Sequence, residues 1–341
     1  MQRPTLRSIA HVLGISHATV SCALRGSPLV NQKTAQRVLQ TAKKMGYRTN
    51  PLASEMMGEL RRSQNTGFHG TFAAVDIFEP DRPAYAVMYH AALVEGARKR
   101  AAELGFKMET FVIGKGKVPL EKLDDMLRAR HIHGLLVLPA WNEPNVSALD
   151  FSQYAAIYTD YSIEHPALHS VCPDHYRSMM MVLERLRMQG YRSPGLFVNK
   201  HMNERIKNLW EAALVAFQSR FSGIAEIPTL NSTQLTQEEF GIWFNTHNPD
   251  VVIGHQTHVI GWLHALGASV PDTNGFVCLN VLMNTVPAAG LDLQPRLIGA
   301  RAAEMLADQL YRNERGVPET ASTTTIIARW ADGPTLRTTP I

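Results

Sequence analysis

The chain has 341 residues, 45% of them hydrophobic, and a formal net charge of +4. That length holds two or three domains with a sizeable core. No run of about 18 apolar residues occurs, and no apolar stretch precedes a small-residue cleavage site near the N-terminus, so neither a membrane span nor a secretory signal is expected. Cys22, Cys172 and Cys278 are odd in number and far apart. They predict no disulfide framework and a reducing, cytoplasmic setting. The charge is uneven. Residues 1–62 carry ten Lys/Arg against two acids, Glu55 and Glu59, whereas the remainder carries 24 basic and 28 acidic residues. A small basic head on a mildly acidic body predicts nucleic-acid contact by the head.

The first elements are short helices. Thr5 is a candidate cap for a helix with Ile9, Val12 and Leu13 on its apolar face, ended by Gly14. Ser16 caps a second helix in which Val20 and Leu24 face inward. Asn31 caps a third, with Ala35, Val38, Leu39, Ala42 and Met45 inward. Two short helices across a Gly-containing turn, closed by a third, predict an all-α helix-turn-helix head over residues 1–49. If Val20 and Leu24 point in, His17, Ala18, Ser21 and Cys22 point out, flanked by Ser16 and Thr19. Such short side chains would let the helix lie close to base edges in a major groove.

A hinge follows over residues 50–66. Asn50 and Pro51 open a helix that runs only to about Met57 before Gly58. A helix this short is marginal alone. Its apolar residues Leu52, Ala53, Met56 and Met57 fit a wedge pushed between base steps from the minor groove.

Residues 5–60 resemble the DNA-binding head of the LacI (lactose-repressor) family. The resemblance is carried by Thr5, Leu6, Ile9, Ala10, Gly14, Ile15, Ser16, Thr19, Val20 and Ser21. It continues through Val30, Lys33, Thr34, Val38, Gly46, Tyr47, Asn50 and Ala53. It implies that Thr5, Ser16, Thr19, Asn31, Thr34 and Asn50 hold phosphates or position the head, and that His17, Ala18 and Cys22 lie where the family reads bases. Three positions depart from the pattern. Cys22 stands in place of the usual arginine, Met56 in place of the hinge leucine, and Ser54 in place of a hinge arginine, with Arg61 and Arg62 as substitute cations.

From about residue 67 apolar runs alternate with helices, which argues βαβ units and parallel sheets. "GTFAAVDIF", "METFVI" and "IHGLLVLPA" are strands. "AYAVMYHAALVEGARKRAAELGF" and "LEKLDDMLRAR" are helices between them. After Pro166 the alternation restarts with the helix "HYRSMMMVLERLRMQGY", the strand "SPGLFVN" and one helix across "ERIKNLWEAALVAFQSRF". "DVVIGH" and "NGFVCLN" are strands around the helix "VIGWLHALGA". A late helix, "RLIGARAAEMLADQLYRNERG", precedes a final strand, "ASTTTIIARW". Two lobes with a cleft between them are expected, residues 67–166 plus 298–318 and residues 167–297 plus 319–341.

This order resembles the type-I periplasmic-binding-protein fold that the LacI family uses as its effector domain. The resemblance puts Pro83 and Tyr85 at the cleft-facing start of the first long helix, and Asp160 and Tyr161 at a post-strand cleft position. It puts Arg205 where the family clamps a ligand hydroxyl or carboxylate. The family's acidic cleft positions read His255–Gln256 and Cys278–Val281 here, with Asn280 able to donate and accept. Trp141, after "LLVLPA", is either a stacking platform or a rim plug. Arg205 is a ligand clamp or the partner of Glu204 or Glu211, and Asp160 a ligand contact or a turn cap. "HIH" at 131–133 abuts a strand without carboxylate partners, so no metal is expected; no cofactor and no nucleophile motif are expected either.

The resemblance implies a homodimeric transcriptional repressor. It would grip a pseudo-palindromic DNA operator and be switched allosterically by a small molecule, with a carbohydrate as candidate class. The alternative is a small-molecule-binding protein whose head is degenerate, which Cys22 and Ser54 motivate.

Overall fold

The computed structural model describes residues 6–24, 30–45, 69–142, 146, 149–161, 163–284 and 286–338. The expected hinge helix with Asn50, Ala53 and Met56, and the expected phosphate contact Thr5, lie outside them. The chain divides into two compact units, Met1–Gln64 and Asn65–Ile341.

In the first unit, helices α1 (Leu6–Leu13), α2 (His17–Leu24) and α3 (Gln32–Lys44) are bounded by local chemistry. Gly14 takes φ +63°, the left-handed turn that ends α1. Ser16 Oγ accepts the Thr19 amide N–H at 3.0 Å, and Asn31 Oδ1 accepts that of Thr34 at 2.8 Å. Each thereby satisfies an orphan amide of its helix. Ile9, Ala10, Val20, Ala23, Val38 and Ala42 form the core. Val12 and Leu39, expected inward, are 62% and 51% exposed. Leu39 sits about 100° around the helix from Val38, and Val12 about 60° from Ile9. Three helices this short enclose only a narrow stripe, so both fall outside it.

The first lobe of the body begins with β1 (Gly70–Ile77), α4 (Ala84–Glu103), β2 (Phe106–Ile113) and α5 (Leu120–Ala129). It continues with β3 (Gly134–Val137), β4 (Ala155–Tyr158) and β5 (His169–Pro173). The second lobe opens with α6 (His175–Met188), β6 (Pro194–Asn199), α7 (Lys200–Arg205), α8 (Leu209–Arg220), β7 (Leu230–Ser232) and α9 (Gln237–His247). It is completed by β8 (Val251–Gly254), α10 (Val259–Ala265), β9 (Gly275–Cys278) and β10 (Gly290–Asp292). Helix α11 (Pro295–Arg312) and β11 (Thr323–Ile326) return to the first lobe, and β12 (Arg329–Ala331) closes the second.

The sheets run in the orders β11-β5-β4-β3-β1-β2 and β12-β10-β9-β8-β6-β7. Every pairing is parallel except β10 with β12. The central strands β3, β4, β8 and β9 are buried along their whole length. This is why they read as continuous apolar runs rather than alternating ones.

The lobe boundaries differ from the expected ones. Strand β5 pairs with β4, Ile157 opposite His169, so the first lobe extends to Pro173 rather than 166. The expected single strand "ASTTTIIARW" is two strands in different sheets, β11 against β5 and β12 against β10. The chain therefore crosses between lobes three times, at residues 173–175, 292–295 and 326–329. The expected single helix over "ERIKNLWEAALVAFQSRF" is α7 and α8. Lys207 and Asn208, at φ +59° and +55°, break it with two consecutive left-handed residues.

Helices α4 and α11 make the tightest helix pair of the body. A Cβ on Gly299 would lie 2.0 Å from the Leu93 carbonyl oxygen, and one on Gly96 would lie 2.0 Å from that of Arg296. Backbone must move to admit a methyl. Gly299→Ala is expected to destabilise the body by about 2 kcal/mol, measured as a lowered calorimetric midpoint, despite alanine's better helix propensity.

Candidate DNA-contacting helix and ligand cleft

In the head, Ser16 and Thr19 share a hydroxyl contact of 2.8 Å at the start of α2, and Asn31 and Thr34 meet at the start of α3. Both pairs gather polar groups at helix N-termini, where backbone amides favour anions. Val20 and Ala23 face the core and Cys22 is half-buried. His17, Ala18 and Ser21 lie on α2, with side chains outside the description.

In the body, a cavity enclosing about 630 Å³, mouth included, lies between the lobes. Its position follows from the topology, because parallel strands deliver the residues just past their carboxyl ends into one crevice. Trp141 follows β3, Asp160 β4, His175 β5, His255 β8 and Asn280 β9, and all border the cavity. Arg205 reaches it from the end of α7, next to the left-handed break. Of the expected cleft residues, Trp141, Asp160, Arg205 and Asn280 come together here. Tyr161 does not border the cavity; its hydroxyl donates to the Pro173 carbonyl at 2.7 Å. Tyr85 lies in the first turn of α4, with its side chain outside the description.

Arg205 is the main tie across the cleft. Its Nη1 pairs with the Asp160 carboxylate and donates to the Ala140 carbonyl at 2.8 Å. Its guanidinium carbon lies 5.7 Å from the centre of the Trp141 ring. Neither Glu204 nor Glu211 is its partner; Glu204 pairs with Lys200 and Glu211 accepts from Asn203. His201 Nε2 donates to the Trp141 carbonyl at 2.7 Å, and Lys207 pairs with Glu164. Residues 201–207 thus bind the second lobe to the first. On the first-lobe side Glu79 accepts the amide N–H groups of Trp141 and Asn142 at 2.5 and 2.6 Å, fixing the loop that carries the indole. Arg82 donates to Asp76 at 2.9 Å and to His90 Nδ1 at 3.1 Å. Burial alone would raise the Asp76 carboxyl, but His90 and Arg82 hold it below the ordinary carboxylate range.

Sequence reasoning missed Arg82, Tyr89, His175 and Trp210, which also border the cavity. Tyr89 lies one helical turn beyond Tyr85, a spacing that places it on the same face. His175 opens the helix after β5, and Trp210 opens α8 after the unread break.

Burial, then the charges of His255 and Arg205, lower the His175 imidazole from its ordinary 6.5 to about 3. Burial and Arg205 lower His255 to about 4. Between these values and 6.5 the unfolded chain binds protons that the folded chain refuses, so stability falls as pH drops below about 6.5. At pH 5 one such histidine costs about 2 kcal/mol relative to pH 8. The body's melting temperature is expected to fall steeply from pH 7 to pH 5, and His175→Gln to flatten that fall.

Among the described residues no group of three or more His, Cys, Asp or Glu is arranged to hold a metal, and no helix is long and apolar enough to cross a membrane.

Residues 5–50 match the family model of bacterial regulatory proteins, lacI family. The HTH-type transcriptional regulator CelR of Thermobifida fusca is 28% identical over 137 residues, 40% of this chain and 37% of that protein. AscG of Escherichia coli (strain K12) is 27% identical over 146 residues, 39% of this chain and 43% of that protein. The matched stretch spans less than half the length of either relative. Among solved structures, a CelR–cellobiose complex superposes with a TM-score of 0.59 at 20% identity, covering 98% of this chain and 100% of that one. A lac repressor dimer bound to operator and the anti-inducer ONPF gives 0.55 at 14%, covering 98% and 99%. These likenesses show the fold, a helical head with two parallel-sheet lobes of the periplasmic-binding-protein type. The head, residues 5–50, thus fits the model of bacterial regulatory proteins, lacI family, and the chain shares its fold with the CelR and lac repressor structures.

Proposed function

We propose that the protein is a sequence-specific DNA-binding repressor whose operator affinity is switched by a small molecule held in the inter-lobe cleft. The carrying observation is that the lacI-family match falls on a segment with an intact core, two capped helices and a strong basic surplus. That same core weighs against the degenerate-head alternative. Two heads on a homodimer would read the half-sites of a pseudo-palindrome, each α2 in a major groove. Ser16, Thr19, Asn31 and Thr34, with Thr5 and Asn50, would hold phosphates. His17, Ala18, Ser21 and Cys22 would face bases, and Ala53 and Met56 would enter the minor groove. Cys22 cannot make the bidentate guanine contact of an arginine, so the preferred half-site differs from one read by that residue.

A small-molecule role for the cleft is supported by Trp141, Asp160, Arg205 and Asn280 converging on one cavity. Carbohydrate as the class is supported by the cellobiose in the CelR structure. We read no enzymatic chemistry in the cleft, and the setting as cytoplasmic. A ligand acts on DNA binding only through unequal affinity for the DNA-competent and DNA-incompetent arrangements of the lobes.

The test is selection of bound duplexes from a random library by the full-length protein. An inverted repeat is expected, with affinity falling about 10³-fold between 50 and 200 mM salt as counterions are released. Recovery of no common sequence would contradict the reading.

A further inference from the structure

Seven buried side-chain polar atoms on residues that line the cavity have no hydrogen-bond partner: Arg82 Nε, Tyr89 Oη, His175 Nδ1, Arg205 Nε, Trp210 Nε1, and both amide atoms of Asn280. Buried polar groups are ordinarily paired, so this concentration marks where hydrogen bonds are owed to a ligand. Tyr89, His175, Trp210 and Asn280 are all more than nine-tenths buried, so bulk water does not satisfy them.

Their chemistry is one-sided. Arg82 Nε, Arg205 Nε, Trp210 Nε1 and Asn280 Nδ2 can only donate. Asn280 Oδ1 alone can only accept, and the tyrosine hydroxyl and the histidine nitrogen can do either. A neutral polyol brings one O–H donor with every oxygen acceptor, and would aim several donors at a set of unpartnered atoms that holds one obligate acceptor. A carboxylate accepts at two oxygens and donates at neither. Charge sets the limit on how many. Asp160 already pairs with Arg205, and both Asp76 and Glu79 pair with Arg82. The site therefore calls for acceptors without a large surplus of negative charge.

We propose that the cleft selects a hydroxylated monocarboxylate, a sugar-acid-like molecule, over the neutral sugar of the same skeleton. This rests on the reading of the cleft as the effector site. The carboxylate would take the unpartnered N–H groups of the guanidinium and indole side chains. The hydroxyls would meet Asn280, which can both give and take, and Tyr89.

The experiment is calorimetric titration of the full-length protein with matched pairs: D-gluconate and D-glucose, D-galacturonate and D-galactose, cellobionate and cellobiose. At least one acid is expected to bind tenfold or more tightly than its neutral partner. Trp210→Phe, which keeps a ring and removes the N–H, is expected to weaken that acid several-fold. Asn280→Asp, which replaces a donor with a charged acceptor, is expected to weaken it tenfold or more, with circular dichroism checking the fold of each variant. Neutral partners binding as well as the acids, or no acid binding, would overturn the assignment. Operator binding measured without any ligand keeps the two readings apart. An acid that binds a protein unable to grip DNA defeats the repressor reading alone, and a sound operator complex with no acid preference defeats this one alone.

Discussion

Val20→Asp is expected to abolish operator binding, with at least ~100-fold loss of affinity, while leaving the body's thermal transition unchanged. Val20 is fully buried among Ile9, Ala10, Ala23, Val38 and Ala42, the core of a very small helical unit. Burying a carboxylate there without a partner costs several kcal/mol or forces its protonation. A domain of about 50 residues has only a few kcal/mol to lose. The head therefore unfolds and the helix caps proposed to hold phosphates disperse. The body keeps its own sheets and clusters as a separate compact unit. Gel-shift titration and calorimetry of the same sample check both halves of the prediction. Val20→Ala, which only leaves a cavity, should weaken binding far less at low temperature.

Arg205→Ala is expected to destabilise the body by about 3–5 kcal/mol, because it strands a buried carboxylate whose partner is gone. Asp160 is 7% exposed, and its other oxygen is already committed to the Tyr161 amide N–H. The same substitution frees the Ala140 carbonyl and removes the cation beside Trp141, so the lobes lose their principal tie. The double variant Arg205→Ala/Asp160→Asn removes the stranded charge and should recover most of the stability without restoring the tie. Chemical denaturation of the single and double variants measures the first effect. Small-angle scattering measures the second, as a more open body in both.

The head was legible in the sequence because its signals are local. Ser16 and Asn31 cap their helices from one turn away, Gly14 supplies the left-handed stop, and Ile9, Val20 and Val38 recur at helical spacing. The cavity was legible where a lining residue follows an obvious strand, as with Trp141 after "GLLV" or Asn280 after "GFVC". It was not legible where the strand itself gave no signal. Strand β5, "HSVCP", is short, ends in proline and shows no period, so in the sequence His175 is only the start of a helix, with nothing to tie it to the crevice. The break at Lys207–Asn208 carries no glycine or proline, and an uninterrupted apolar pattern runs through it. Only tertiary ties such as Lys207 with Glu164 hold that segment in its two left-handed residues, so Trp210 went unnoticed. The three crossings between lobes are likewise long-range facts, because nothing in "TTTIIARW" says that its halves belong to different sheets.

In the proposed switch, the state of the cleft governs the grip on DNA. This dependence is tested most directly by comparing operator affinity of the full-length wild type and the Arg205→Ala/Asp160→Asn variant, at one salt concentration and without ligand. The variant's head is untouched and its fold is expected to be sound, so only the tie between the lobes differs. A change of about fivefold or more is expected, within the usual range of allosteric coupling. Identical affinities would contradict it.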